Sequence, residues 1–202
     1  MGTEHFAERF GLFIILALGE SIVITGATTS ELDLDTPRIM AFVLAFLASA
    51  ALWWLYFSSV ANLGEHYLAV SENRTILARD AYTYLHVVFV AGIILSAVGD
   101  ELVIAHPTEI LPPYEVATVA AGPAVYLFAH TLFAYRLTGL VYKTKAFGTL
   151  ACLAVGFVGL LVPALVLAGL LIVVLVAVIG SSYLEPSSTQ AEGEAPPRRR
   201  KG

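Results

Sequence analysis

The segment that decides the fold of this 202-residue chain is 146–183, AFGTLACLAVGFVGLLVPALVLAGLLIVVLVAVIGSSY, which carries no charged side chain. As one helix, its 38 residues would be about 57 Å long, nearly twice the apolar core of a bilayer. Pro163 interrupts the run near its middle, and the first turn of a helix tolerates proline. The segment therefore predicts two membrane-spanning helices joined by a tight turn.

Similar apolar runs fill the rest of the chain. Hydrophobic residues make up 58% and charged residues 13%, against about 25% charged in soluble domains. The runs do not alternate in polarity as the strands of an outer-membrane barrel do. We predict an all-α, polytopic transmembrane helical bundle over residues 1–184, with six spans at about 10–28, 38–60, 82–104, 114–137, 146–161 and 163–183. Between spans, 62–80 is expected to form a short interfacial helix, and 185–202 a disordered basic cytoplasmic tail.

Basic residues predict the orientation of the bundle. Lys and Arg near span ends favour the cytoplasm. With six spans and a cytoplasmic N-terminus, only Arg38 of the 11 basic residues falls outside. We therefore expect both termini in the cytoplasm and a multi-pass location in the inner (plasma) membrane. Because the basic residues serve topology, no nucleic-acid partner is expected.

Enzyme signatures are missing from the sequence. It contains no glycine-rich phosphate loop, no Gly-x-Ser-x-Gly nucleophile and no zinc-protease motif. The single cysteine, Cys152, lies in an apolar run and is expected to serve packing. We expect no catalytic activity, no cofactor and no metal site.

Glu20 is the most informative residue, because it lies about 15 Å into the first span. An acid at that depth costs a few kcal/mol unless it is paired, protonated or exposed to water. Arg9, eleven positions earlier, falls within about 20° of the same helix face. Two interpretations stay open: Glu20 handles an ion or proton, with Glu8 and Arg9 guarding the inner mouth, or it makes a structural hydrogen bond between helices.

His86 and His130 form a second candidate pair, at similar depths in adjacent antiparallel spans. Such histidines relay protons, bind a metal or haem, or simply pack between helices. On the third span, helical spacing places six residues on one face: Tyr82, His86, Phe89, Ile93, Ser96 and Asp100. This face is either a polar path across the membrane or a side buried against other helices.

A short internal similarity links the first and third spans. Residues 16–24, LALGESIVI, resemble residues 96–104, SAVGDELVI. If the two are copies of a repeated helical hairpin, Glu20 and Asp100 occupy equivalent positions.

The stretch His5-Phe6-Ala7-Glu8-Arg9-Phe10-Gly11-Leu12-Phe13, followed by Leu18-Gly19-Glu20, resembles the low temperature requirement protein A (LtrA) family of bacterial membrane proteins. Tyr82-Thr83-Tyr84-Leu85-His86, Gly92-Ile93-Ile94 and His106-Pro107 are also similar to that family, over roughly residues 4–184. Family members are about twice this length, and the first motif opens their second half. The resemblance therefore implies a C-terminal half, and it implies no settled substrate or reaction.

These observations favour a membrane protein that transports an ion, a proton or a small solute. Glu20 would be the central ionisable group, and Glu8, Arg9, His86, His130 and Asp100 would line the path. The expected partners are the lipid bilayer and either a second copy or a complementary membrane half. Two alternatives remain: a non-transporting structural or regulatory membrane protein linked to growth at low temperature, and an intramembrane enzyme or redox protein that uses His86 and His130.

Overall fold

The computed structural model of the chain describes residues 3–30, 33–60 and 83–183, with side chains from residue 9 onward. These residues form helices and short connections, with no strand among them, which confirms the predicted all-α fold. The helices are α1 (Thr3–Ser30), α2 (Thr36–Leu55), α3 (Leu85–Ala105), α4 (Pro113–Thr138), α5 (Lys143–Gly159) and α6 (Ala164–Ser182). A short π-helical segment, Tyr56–Val60, continues α2.

Local sequence signals explain where the helices begin and end. The Asp35 side chain caps α2 by accepting a hydrogen bond of 3.0 Å from the backbone N–H of Arg38. Proline occupies the first turn of α2 and of α4, where its missing N–H costs no hydrogen bond. Pro163 precedes α6, so the charge-free segment does fold as two helices. Gly139 ends α4 with a positive φ of 71°, which glycine adopts without strain.

Five of the described helices are long and apolar enough to cross a membrane: Arg9–Ser30, Thr36–Val60, Leu85–Ala105, Pro113–Thr138 and Ala164–Ser182. The sixth, α5, has 17 residues and a length of about 25 Å, the lower limit for a span. α1 begins seven residues before the predicted span, because its charged first residues also adopt helical structure. The predicted interfacial helix at 62–80 and the basic tail at 185–202 lie outside the described residues.

The third helix lies in the middle of the bundle, where it contacts α1, α2, α4 and α6. Its most extensive contact is with α4, and glycines let the two backbones approach closely. A Cβ atom added to Gly99 would lie 2.9 Å from the Cα atom of Val119, and one added to Gly122 would lie 2.5 Å from the Ser96 nitrogen. The α3–α4 pair is therefore the most tightly packed part of the described bundle.

Antiparallel helices give the bundle two chemically different ends. We call the end with Arg9, Arg136, Lys143 and Lys145 the basic end, and the end with Asp33, Asp35, Asp100, Glu101, Glu109 and Glu115 the acidic end. Arg38 lies at the acidic end, where its guanidinium is 3.5 Å from the Asp35 carboxylate and donates to the Asp33 carbonyl. Which end faces the cytoplasm stays a prediction.

Main-chain hydrogen bonds tie α6 to the connection between α3 and α4. The backbone N–H of Ala164 donates to the Glu109 carbonyl at 2.8 Å, and that of Leu165 donates to the Pro107 carbonyl at 2.9 Å. The first N–H groups of a helix have no partner within the helix itself. The α3–α4 connection therefore supplies two of the acceptors that the start of α6 requires.

Candidate functional site

The face of α3 singled out in the sequence points into the bundle. His86, Phe89, Ile93 and Ser96 are buried, and Asp100 is partly buried near the end of the helix. Tyr82, assigned to the same face, lies outside the described residues. The face carries polar groups towards both ends of the bundle and apolar groups between them.

His86 belongs to a polar cluster near the basic end (the basic-end cluster). Its members are the buried Tyr56, His86 and His130 and the partly buried Ser59 and Lys145. The Tyr56 hydroxyl and His86 Nε2 are 2.7 Å apart, a short hydrogen bond between α3 and the π-helical segment. π-Helical segments often occur at functional sites. The Phe10 ring of α1 packs on the His86 ring, with centroids 4.8 Å apart.

His130 of α4 lies in the same cluster. Its ring packs between those of Phe89 and Tyr126, at centroid distances of 4.9 and 5.0 Å. Its Nδ1 is 3.5 Å from the Ser59 hydroxyl, which also accepts a hydrogen bond of 2.9 Å from the Lys145 ammonium. Within the described ranges, the buried Nε2 of His130 has no hydrogen-bond partner. A buried ring nitrogen of this kind can accept or release a proton.

An aromatic layer separates the basic-end cluster from the acidic end. Phe89, Ile93 and Tyr126 are each at most 1% exposed, and the Phe89 and Tyr126 rings meet edge to face at 5.3 Å. The Tyr126 hydroxyl donates a 2.7 Å hydrogen bond to the Leu52 carbonyl of α2. Because this layer is packed and apolar, it interrupts the polar face of α3.

A cavity lies between the aromatic layer and the acidic end, and we call it the acidic-end cavity. It offers about 30 Å³ to the centres of water molecules, room for about two of them. Asp100 and Ser96 supply its ionisable and hydroxyl groups. The remaining lining is apolar or small: Ala41, Leu44, Ala45, Ala48, Leu52, Gly99, Val103, Val119, Pro123, Ala168, Leu171, Ile172 and Leu175.

Two polar groups at the acidic-end cavity lack an ordinary partner. The buried Ser96 hydroxyl makes no hydrogen bond within the described part of the chain. Pro123, inside α4, has no N–H to donate to the carbonyl of Val119, four residues earlier. Both residues line the cavity with Asp100. The cavity thus combines a carboxylate with a hydroxyl that can bind water.

Glu20 lies elsewhere, on the exposed side of α1 together with Arg9. Glu20 is not among the residues that line the acidic-end cavity. The side chain of Glu8 lies outside the described part of the structure. The structure therefore brings His86 and His130 together, places Asp100 on the same face of α3, and leaves Glu20 on an outward surface.

Sequence reasoning missed several members of these clusters. Tyr56 and Ser59 contact the histidines, and Lys145 bonds to Ser59, from segments whose spacing gave no polar pattern. Pro123 was the available signal for the cavity, because a proline inside an apolar helix often marks an irregular backbone. Among the described residues, no three or more His, Cys, Asp or Glu side chains converge as metal ligands.

Comparison with known proteins identifies the family. The family model described as bacterial low temperature requirement A protein (LtrA) matches residues 1–180. An uncharacterised protein of Rhizobium meliloti (strain 1021), RA0937, is 34% identical over 140 residues, which cover 68% of this chain and 34% of that protein. The aligned stretch thus spans about a third of the relative. No solved structure gives a significant match.

Proposed function

This chain belongs to the bacterial low temperature requirement A (LtrA) family, and we propose that it transports an ion, a proton or a small solute across the cell membrane. One observation carries the proposal: the buried face of α3 bears a polar cluster at the basic end and a polar cavity at the acidic end. A path between these two sites would run along the centre of the bundle.

Energetics favour a functional role for these polar groups. An ionisable side chain inside a membrane helix costs a few kcal/mol, and those that face a bundle interior commonly mark ion or proton pathways. His130 retains an unpartnered ring nitrogen, although a phenylalanine would satisfy the packing. Similarly, Asp100 lines a mostly apolar cavity. A leucine or an alanine there would avoid the cost of burying a charge. Packing alone does not explain either residue.

The aromatic layer supports a transporter rather than an open channel. Phe89 and Tyr126 close the centre of the bundle, and the Tyr126 hydroxyl bonds to α2. Passage of a solute therefore requires the layer to move. Opening would break the bond between Tyr126 and the Leu52 carbonyl, at a net cost of about 1 kcal/mol, which thermal motion readily supplies.

Glu20 and Arg9 lie apart from the two polar sites on α3. Both are exposed on α1, so they do not belong to the path along α3. A role for Glu20 as the central ionisable group stays a prediction. If it is correct, the transported species moves along the outer side of α1 instead of through the bundle.

Flux measurements in proteoliposomes test the proposal. The purified chain is reconstituted, and a pH-sensitive dye inside the vesicles reports proton movement under an imposed gradient, with Na⁺, K⁺ and choline compared as external cations. We expect flux above that of protein-free liposomes. Asp100→Asn and His130→Phe should each return it to the liposome level, because they remove the ionisable groups of the two sites.

The matched control is Asp33→Asn, which makes the same acid-to-amide change in an exposed residue at the acidic end and should leave flux intact. Glu20→Gln discriminates between paths: loss of flux in this variant, with Asp100→Asn unchanged, would move the central role to α1. Absence of flux for every ion tested would contradict transport. That result would favour the structural or regulatory alternative, for which the buried polar groups only fix helix packing.

A further inference from the structure

We infer that Asp100, together with Ser96, forms a proton-binding site inside the acidic-end cavity. The inference deepens the proposed transport function by naming the bound species, but it concerns a binding event that can be measured without flux. The proton passes from a hydronium ion in the water at the acidic end to a carboxylate oxygen of Asp100: one O–H bond of hydronium breaks as the carboxyl O–H bond forms, and release to water is the reverse step.

The position of Asp100 meets the first requirement of such a site, access without full exposure. Asp100 lies five residues before the end of α3 at Ala105, a depth of about 7.5 Å along the helix. Within the described residues it makes no hydrogen bond or ion pair. A carboxylate at this depth is close enough to water to exchange protons and deep enough to be partly shielded from it.

The lining of the cavity meets the second requirement, a preference for the neutral acid. None of the lining residues from α2, α4 and α6 is titratable or charged. On α3 itself the adjacent acid, Glu101, accepts a hydrogen bond of 3.4 Å from the Thr28 hydroxyl of α1. No described cation therefore compensates the Asp100 charge, and burying an uncompensated charge in apolar surroundings costs several kcal/mol.

Ser96 meets the third requirement, a partner that serves both protonation states. Ser96 precedes Asp100 by four residues and therefore lies on the same side of α3. Its hydroxyl is buried against Gly122 of α4 and makes no hydrogen bond within the described ranges. A hydroxyl can donate to a carboxylate or accept from the protonated acid, directly or through one water molecule. The cavity has room for such a water molecule.

The same geometry argues against a metal cation as the bound species. Asp100 contributes one negative charge, and Ser96 is the only other side chain among the described lining residues that carries an oxygen atom. A hard divalent cation such as Ca²⁺ takes six to eight oxygen ligands. A proton requires only the carboxylate and one hydrogen-bond partner, which this cavity supplies.

Carbodiimide labelling of the purified full chain tests the site directly. Dicyclohexylcarbodiimide reacts with protonated carboxyl groups in apolar surroundings, and peptide mass spectrometry locates the adduct. We expect an adduct on Asp100 whose yield falls about tenfold per pH unit above its titration midpoint. Asp33, an exposed acid at the same end of the bundle, is the internal control and should stay unlabelled at neutral pH.

A variant of Ser96 tests whether labelling of Asp100 depends on the cavity site or only on the general reactivity of a carboxyl group. Ser96→Ala should raise the midpoint of Asp100 labelling by about 0.5–1 pH unit, because the hydrogen bond of the hydroxyl to the charged carboxylate is stronger than its bond to the neutral acid. An unchanged midpoint would remove Ser96 from the site. Gel filtration and thermal denaturation test whether this variant retains the fold.

Two further outcomes would overturn the inference. Absence of an Asp100 adduct across the pH range, in protein that remains folded, would show that the carboxyl group is not protonated in the cavity. Protection of Asp100 by NaCl but not by choline chloride would instead identify a sodium site. Because labelling requires no flux, an Asp100 adduct in a protein without flux would retain the proton site and refute transport. Flux without an adduct would support transport and refute the proton site at Asp100.

Discussion

The first and third helices carry the same local motif, a glycine followed by an acid, in opposite environments. Gly19 and Glu20 of α1 face outward, and a Cβ atom added to Gly19 would meet no described atom within 4 Å. Gly99 and Asp100 of α3 face inward, with Gly99 packed against the backbone of α4. Packing partners, rather than local sequence, therefore decide whether an acid in a membrane helix faces the interior of the bundle.

The largest effect expected from this comparison concerns apolar side chains. Ile93→Ala on α3 should lower the free energy of unfolding by about 2–5 kcal/mol, because Ile93 is 1% exposed and its removal leaves a cavity. Leu16→Ala on α1 should change it by less than about 0.5 kcal/mol, because Leu16 is 70% exposed. Unfolding by titration with a denaturing detergent measures both values. Equal losses would mean that the outer side of α1 is packed in the assembled protein.

The two glycines give the second contrast. Gly99→Ala should destabilise the protein by about 1–3 kcal/mol, because the new Cβ would force the α4 backbone away. Gly19→Ala should be neutral or stabilising by up to about 1 kcal/mol, since alanine favours the helix and has open space. Thermal denaturation in detergent measures the difference. Loss of stability in Gly19→Ala would contradict this contrast, because it would mean that another helix packs against α1 at Gly19.

The two buried histidines, His86 of α3 and His130 of α4, give the third contrast in stability. His86→Phe should cost about 1–2 kcal/mol, because it removes the short bond to the Tyr56 hydroxyl. His130→Phe should cost less, about 0.5 kcal/mol, because it removes only the long 3.5 Å contact of Nδ1 with the Ser59 hydroxyl. Its Nε2 has no partner in the described residues, and the aromatic contacts remain. The same detergent titration measures both. The opposite ranking would show that His130 is a structural residue and would weaken the case for transport.

The smallest effect concerns hydroxyl groups on the two helices. Thr25 of α1 donates a hydrogen bond of 2.8 Å to the Ser21 carbonyl, so Thr25→Val should cost about 0.5–1 kcal/mol. Ser96→Ala should be neutral or slightly stabilising, because it removes a buried hydroxyl that has no partner within the described ranges. Replicate melting curves resolve this difference. A clear loss of stability in Ser96→Ala would indicate that the Ser96 hydroxyl makes a hydrogen bond within the protein and not to a bound ligand.

Sequence patterns were sufficient to predict the helices but not which of their sides pack against other helices. The lengths of the apolar runs predicted the spans, and Pro163 predicted the division of the last run, because these signals are local. The pairing of His86 with His130 also followed, from depth in adjacent spans. The outward position of Glu20 did not follow, because the hydrophobic pattern of a membrane helix is similar on its lipid side and its packed side.

Other parts of the candidate site depend on contacts between distant segments. Tyr56 reaches His86 across 30 positions, and Lys145 reaches Ser59 across 86. No periodicity in one helix encodes such contacts. The close glycine packing of α3 on α4 was visible only as scattered small residues, and its partner could not be assigned without the fold.

The attachment of α6 to the α3–α4 connection has a consequence for sequence variation. The acceptors are the carbonyls of Pro107 and Glu109, and the donors are the backbone N–H groups of Ala164 and Leu165. Because no side-chain atom takes part, substitutions of Glu109, Ala164 or Leu165 can preserve both bonds, provided that proline is avoided at the two donor positions. This corner can therefore keep its geometry while its residues diverge between relatives, so that the last hairpin docks at the same place in chains of quite different sequence.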